Sequence, residues 1–164
     1  MKNKSTVFLA QAAAIGAVYV VLTIIFAPIS FGEIQVRISE MLTILPFFTP
    51  AAIPGLFIGC LIANILGGAI PVDILFGSIA TLIGAVFTWI LRNKSKFLAP
   101  VPPILSNTII VPMVLRYGYG INLPVPFMML TVGVGEVVSC GILGMILLGV
   151  LEKYGKQIFG VKSV

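Results

Sequence analysis

Residues 6–28 read TVFLAQAAAIGAVYVVLTIIFAP, an apolar stretch without a charged side chain. A helix needs about 20 apolar residues to cross a bilayer, whereas the core of a signal peptide has only about 7–15. The stretch is also not followed by a small-residue cleavage site and a polar chain. The sequence therefore predicts that residues 6–28 form a membrane-spanning helix that the mature protein retains.

The rest of the chain has the same apolar character. Of its 164 residues, 59% are hydrophobic and only 9% are charged, whereas a globular domain has about 25% charged residues. This composition excludes a water-soluble domain. Further apolar segments cover residues 36–48, 51–66, 72–91, 104–115 and 127–151. We predict an all-α integral membrane protein in which residues 1–164 form a single transmembrane domain, one bundle of six transmembrane helices.

The basic residues indicate how this bundle is oriented in the lipid bilayer. Eight of the ten flank apolar segments, in three patches. The patches are Lys2 and Lys4; Arg92, Lys94 and Lys96; and Lys153, Lys156 and Lys162. If both termini are cytoplasmic, these eight residues and Glu152 give the inner side a net charge of +7. The outer side has two arginines and four carboxylates, a net charge of −2. The two sides sum to the +5 of the chain. This segregation follows the positive-inside rule. We therefore expect a multi-pass membrane protein with cytoplasmic N- and C-termini, and no nucleic-acid partner.

The sequence offers little for catalysis. It has no histidine and two isolated cysteines, which excludes most zinc sites and Cys-His nucleophiles. No lysine lies within a predicted span, so a serine–lysine intramembrane protease is excluded as well, and no Walker-type phosphate loop occurs. We expect no enzyme activity, no cofactor and no metal site. If ATP drives transport, another chain must hydrolyse it.

Charged residues at membrane depth are costly and are therefore candidates for function. Glu136 lies about nine residues, or about 14 Å, into the last predicted span and has no oppositely charged sequence neighbour. Glu33, Arg37 and Glu40 are spaced four and three residues apart, so a helix that begins early enough would place the arginine between two acids on one face. We predict that these residues bind a substrate. The alternatives are an interfacial ion-pair ladder at a helix start for Glu33, Arg37 and Glu40, and a protonated or hydrogen-bonded structural role between helices for Glu136.

Three further polar residues lie in or beside predicted spans. Asn107 and Asn64 have amides that both donate and accept hydrogen bonds, so each fits either a ligand contact or a helix-packing hydrogen bond. Asp73 follows Pro71 at the start of a predicted helix, where a capping role is the alternative to a ligand contact. We include all three in the predicted substrate site.

Ala10, Ala14 and Ala17 line one side of the first predicted helix. Small residues allow helices to approach closely in lipid, so this face fits packing inside the bundle or docking to a separate membrane subunit. We predict docking.

Four motifs, taken in order, resemble a specific family. They are FGEIQVRISEMLTILPFFTPAAIPG (31–55), GCLIANILGGAIPVDILFGSIATLIGA (59–85), PPILSNTIIV (102–111) and VGVGEVV (132–138). The chain resembles the QueT family of substrate-binding S components of energy-coupling factor (ECF) transporters, and the resemblance extends over nearly the whole length. It implies a six-helix S-component fold and a pocket open to the exterior. It also implies a queuosine precursor such as 7-aminomethyl-7-deazaguanine as substrate, and a transmembrane coupling subunit and two cytoplasmic ATPases as partners.

The predicted site residues suit such a substrate. A deazaguanine offers a ring N–H and an exocyclic amine to one carboxylate, and its aminomethyl cation needs a second. We expect Glu136 and Glu40 to accept these donors, Asn107 to orient the heterocycle and Arg37 to keep Glu40 ionised. An anionic vitamin such as folate would need the reverse charge balance. The alternatives are an S component for another vitamin, or a solitary proton- or sodium-coupled carrier that uses Glu136.

Overall fold

The structure, a computed structural model, describes residues 4–30 and 36–159, which form helices and turns without a β-strand. The main helices are α1 (Lys4–Ile25), α2 (Ile38–Phe47), α3 (Ala52–Leu66), α4 (Pro71–Leu91), α5 (Val101–Met113), α6 (Val125–Glu136) and α7 (Gly144–Phe159). Single helical turns cover Ala27–Ser30 and Lys96–Leu98. Two π-helical segments prolong the main helices: Val114–Gly118 continues α5, and Val137–Leu143 joins α6 to α7.

Four helical segments in the described residues are long and apolar enough to cross a membrane. They are Lys4–Ile25, Pro71–Leu91, Lys96–Gly118 and Val125–Tyr154. The other two apolar helices, α2 and α3, have 10 and 15 residues, fewer than the about 20 that a simple span needs. The fold is therefore that of an all-helical, multi-pass membrane protein. The count of six spans stays a prediction for these two helices.

Helix α2 differs from the predicted segment 36–48. It is a 3-10 helix, it begins at Ile38, and Arg37 precedes it with extended backbone (φ −91°, ψ 96°). One local cause is Thr43, whose hydroxyl donates to the carbonyl of Glu40 at 2.6 Å and so competes for a main-chain acceptor. Arg37 and Glu40 consequently do not share one helical face. Instead the backbone N–H of Glu40 donates to the carbonyl of Arg37 at 2.9 Å.

Helices α1 and α3 pack at very close range through small residues. A Cβ atom added at Gly55 would lie 2.6 Å from the carbonyl oxygen of Ala12, and one added at Gly59 would lie 2.9 Å from that of Gly16. Tyr19, on the same face of α1, is fully buried. The close approach of the two backbones brings Tyr19 into the interior of the bundle, where its hydroxyl needs a polar partner.

An ion pair joins two of the basic patches at one end of the bundle. Lys96, in the turn between α4 and α5, lies 3.0 Å from the carboxylate of Glu152 in α7. Two of the three regions that the charge pattern assigns to the cytoplasm therefore lie together. The membrane side that this end faces stays a prediction.

Replacing Gly55 with alanine should separate α1 from α3, because the new Cβ meets backbone rather than a movable side chain. We expect a loss of about 1–3 kcal/mol in the free energy of unfolding, measured by thermal unfolding of the purified protein in detergent. Gly149→Ala is the matched control, since nothing lies within 4 Å of a Cβ at that position. Equal stability of the two variants would show that the α1–α3 contact is not tight.

Candidate binding site in the helix bundle

Glu40 lies in the first turn of α2, with only 1% of its surface exposed. One of its oxygens, Oε1, accepts a short hydrogen bond from the hydroxyl of Tyr19 in α1. The hydroxyl of Thr81 in α4 lies 3.5 Å from the same oxygen. The other oxygen, Oε2, is buried and accepts no hydrogen bond of ordinary geometry from the described residues. Glu40 therefore has one oxygen held by the protein and one acceptor position open.

Glu136 is the last residue of α6, about 17 Å from its start at Val125. It is 8% exposed, and both of its oxygens have protein partners. The amide nitrogen of Asn107 in α5 donates to Oε1 at 3.0 Å, and the thiol of Cys140 donates to Oε2 at 3.1 Å. Cys140 belongs to the π-helical segment that follows α6, and such segments often occur at functional sites.

The two glutamates meet at the centre of the bundle although they are 96 residues apart in the sequence. A carboxylate oxygen of each and the sulfur of Cys140 all lie within 4.8 Å of one another. The thiol of Cys140 also approaches the backbone carbonyl of Glu40 at 3.4 Å. This arrangement of acceptor atoms can hold a cationic or donor-rich group, and the same three atoms are close enough to hold a small metal ion.

Arg37 lies beside this pair and is half-buried. Its guanidinium is 3.8 Å from the sulfur of Cys60, and Cys60 in turn contacts the hydroxyl of Thr81 at 3.4 Å. Arg37 attracts the Glu40 carboxylate electrostatically. Its positive charge offsets one of the two buried negative charges.

Asn64, Asp73 and Tyr119 form a second polar group, at the predicted outer end of α4. The hydroxyl of Tyr119 donates to the Asp73 carboxylate at 2.9 Å, and the side-chain amide of Asn64 donates to the backbone carbonyl of Asp73 at 3.5 Å. Asp73 is the third residue of α4, whose N-cap is Ile70. Burial, and then the charge of Asp73, raise the pKa of the Tyr119 phenol, so it remains a donor at neutral pH.

The structure thus brings together four of the seven predicted substrate residues: Glu40, Glu136, Asn107 and Arg37. Asn64 and Asp73 belong to the neighbouring group, and the amide of Asn64 contacts Cys60 at 3.7 Å. Glu33 lies outside the described residues.

Sequence reasoning missed the residues that hold the two glutamates in place. Tyr19 and Thr81 look like ordinary span residues in the sequence. The two cysteines were not among the predicted site residues, yet both make polar contacts here. One signal was available for Tyr19. A tyrosine in the middle of a span, away from the interfacial belt, must find a buried partner for its hydroxyl.

The three predicted docking alanines, Ala10, Ala14 and Ala17, are all exposed. The opposite face of α1, which includes Ala12 and Tyr19, is the one that packs inside. A groove of about 570 Å³ runs beside Ala10 and Ala14, with Ala17 outside it. Its other lining residues are Val7, Gln11, Ile15, Val18, Leu42, Leu45, Leu147 and Leu151.

Comparison with known proteins identifies the family. The sequence profile described as QueT transporter matches residues 9–153. The chain belongs to the QueT transporter family. This membership places it among transporters rather than enzymes.

A curated relative in this family is "Queuosine precursor transporter QueT" of Lactococcus lactis subsp. cremoris (strain MG1363). It is 39% identical over 85 residues, which are 51% of this chain and 50% of the relative. The match therefore spans about half the length of that relative. No solved structure matches the chain significantly.

Replacing Tyr119 with phenylalanine should loosen the segment after α5, because its hydroxyl ties that segment to Asp73. We expect about two- to tenfold faster hydrogen exchange at the amides of Tyr119 and Ile121, as for the loss of one hydrogen bond. Tyr117→Phe is the control, since this side chain is 80% exposed. Unchanged exchange in Tyr119→Phe would show that the contact does not hold the segment.

Proposed function

We propose that this QueT-family protein is the substrate-binding S component of an ATP-driven ECF-type uptake transporter for a queuosine precursor such as 7-aminomethyl-7-deazaguanine. It acts in the plasma membrane of a prokaryote. The observation that supports this best is the pair of buried carboxylates, Glu40 and Glu136, which lie within 4.8 Å of each other in the bundle interior. The name of the Lactococcus relative agrees with this substrate class.

The charge of the site favours a cationic ligand. With both carboxylates ionised, the pair and the guanidinium of Arg37 sum to −1 in a site of low dielectric, where an uncompensated charge is costly. A ligand with one positive charge balances this sum, as the aminomethyl group of the precursor would. An anionic vitamin such as folate would add to the excess negative charge. The charge balance therefore favours an aminomethyl-deazaguanine over the alternative of an anionic vitamin.

The outward face of α1 supports the proposed partners. Ala10 and Ala14 border an apolar groove, and their small side chains permit close approach of a helix from another chain. The chain has no phosphate-binding loop of the Walker type. In the proposed assembly, a transmembrane coupling subunit docks at this face, and two cytoplasmic ATPases supply the energy.

The second candidate is a solitary carrier driven by protons or sodium ions. The close carboxylate pair favours it too, because two carboxylates at this distance can share a proton or a small cation. The two candidates differ in their energy source. Uptake by cells should stop when the partner ATPases are deleted if the chain is an S component, and it should stop with an ionophore alone if the chain is a solitary carrier.

The purified protein should be stabilised by 7-aminomethyl-7-deazaguanine, by about 2.7 kcal/mol at 100 times the dissociation constant. Glu40→Gln and Glu136→Gln should each weaken binding about ten- to a hundredfold, since each removes an ionised acceptor. Isothermal titration in detergent measures this. Glu152→Gln is the control, because this glutamate pairs with Lys96 at one end of the bundle and is not part of the carboxylate pair. If both variants fold and bind like the parent, the site must instead lie around Asp73 and Asn64.

Replacing Ala14 with tryptophan should block docking of the coupling subunit but leave substrate binding intact, because Ala14 is exposed in the groove and distant in sequence from the carboxylates. The readouts are co-purification of the partner chains and calorimetric binding of the substrate. Leu105→Trp, at an exposed position of α5, is the control. Full assembly and transport with Ala14→Trp would exclude this face as the docking surface.

A further inference from the structure

The two carboxylates of the site differ in which oxygens are already in use. Glu136 has both oxygens engaged, by the amide of Asn107 and the thiol of Cys140. Glu40 has one oxygen engaged by Tyr19, while Oε2 is buried and accepts no hydrogen bond of ordinary geometry from the described residues. The Asn107 amide, which donates to Glu136, also lies near the Glu40 carboxylate. Leaving a buried acceptor unpaired costs free energy, so a ligand with an N–H group at this position would be favoured.

Their electrostatic surroundings differ as well. Arg37 lies close to Glu40, because the backbone N–H of Glu40 donates to the carbonyl of Arg37. The guanidinium of Arg37 approaches the sulfur of Cys60. The hydroxyl of Thr81 lies within hydrogen-bond distance of both Cys60 and Glu40. Glu136 is different, because the described groups that hydrogen-bond to it are neutral. Glu40 thus has a nearby compensating cation, and Glu136 has none bonded to it.

These two differences assign different ligand groups to the two carboxylates. A second cation placed at Glu40 would be repelled by Arg37, whereas a neutral N–H donor would not be. Arg37 acts on Glu136 more weakly than on Glu40, so a cation beside Glu136 would balance a charge that is otherwise compensated mainly by dipoles. The mutual repulsion of the two carboxylates, which lie within 4.8 Å, would also decrease if a cation sat beside Glu136.

We infer that Glu40 accepts a hydrogen bond from the exocyclic amine of the heterocycle through Oε2, and that Glu136 binds the ammonium of the aminomethyl arm. This assignment rests on the proposed function and extends it, because it states which carboxylate recognises which part of the substrate. It also predicts single rather than bidentate contact at Glu40, since Tyr19 already occupies Oε1. Tyr19 is then a positioning residue that keeps Oε2 directed to the ligand.

The test combines two protein variants with two altered ligands in calorimetric titrations. The reference ligand is 7-aminomethyl-7-deazaguanine. One analogue, 7-aminomethyl-7-deazahypoxanthine, lacks the exocyclic amine, and the other, 7-ethyl-7-deazaguanine, replaces the ammonium by a methyl group. In the parent protein each analogue should bind about ten- to a hundredfold more weakly than the reference ligand.

The variants should remove these penalties selectively. In Glu40→Gln, the analogue without the exocyclic amine should bind within about threefold of the reference ligand. The analogue without the ammonium should still bind about ten- to a hundredfold more weakly than the reference ligand. Glu136→Gln should give the opposite pattern, and Glu152→Gln should behave like the parent. The assignment would be overturned if Glu40→Gln removed the penalty for the missing ammonium and Glu136→Gln that for the missing exocyclic amine. It would also be overturned if both analogues bound as weakly to both variants as to the parent protein.

Two further variants keep the test decisive if a glutamine variant does not fold. Tyr19→Phe disturbs only the Glu40 side, so it should alter the penalty for the missing exocyclic amine and not the penalty for the missing ammonium. Cys140→Ala removes a donor from Glu136, so it should alter the penalty for the missing ammonium and not the penalty for the missing exocyclic amine. If the parent protein binds none of the three ligands, the proposed function itself fails, which is distinct from parent binding without the predicted selectivity.

Discussion

Two carboxylates buried within 4.8 Å of each other in an apolar bundle are the constraint on which the rest of the structure depends. An isolated charge in such surroundings is costly, and two like charges are costlier still. Hydrogen-bond donors from several helices stabilise these carboxylates. Tyr19 comes from α1, Thr81 from α4, Asn107 from α5 and Cys140 from the π-helical segment. The packing of these helices therefore determines the positions of the groups that form the site.

Helix α1 has two faces with different tasks. Its inner face brings Tyr19 to Glu40, and the hydroxyl of Thr23 one turn later contacts that of Ser39 at 2.7 Å. Close packing against α3 at Gly55 and Gly59 makes this approach possible. The outer face exposes Ala10 and Ala14 beside the groove. The same helix therefore carries the alanines of the proposed docking surface and the tyrosine that bonds to Glu40.

The apolar segments were predictable because their signal is local. Residues 72–91 are apolar and lie between a proline and a run of basic residues, and the structure has a helix over Pro71–Leu91. Glu40 and Glu136 were also predictable from local sequence, because a charged residue within an apolar span is costly and therefore indicates a functional role. The 3-10 winding of α2 was not predictable, because it depends on where the Thr43 hydroxyl finds an acceptor. Tyr19 was missed because its contact with Glu40 crosses 21 residues of sequence. Cys140 lies only four residues from Glu136, but a cysteine in an apolar span gives no sequence signal of a polar contact.

The ligand is proposed to contact both Glu40 and Glu136. A structure of the protein determined by electron microscopy with 7-aminomethyl-7-deazaguanine bound tests this claim most directly. The account predicts ligand density in contact with both carboxylates, with the ring edge at Oε2 of Glu40 and the aminomethyl arm at Glu136. Density in the groove beside Ala14, or around Asp73 and Tyr119 without contact to either glutamate, would contradict it.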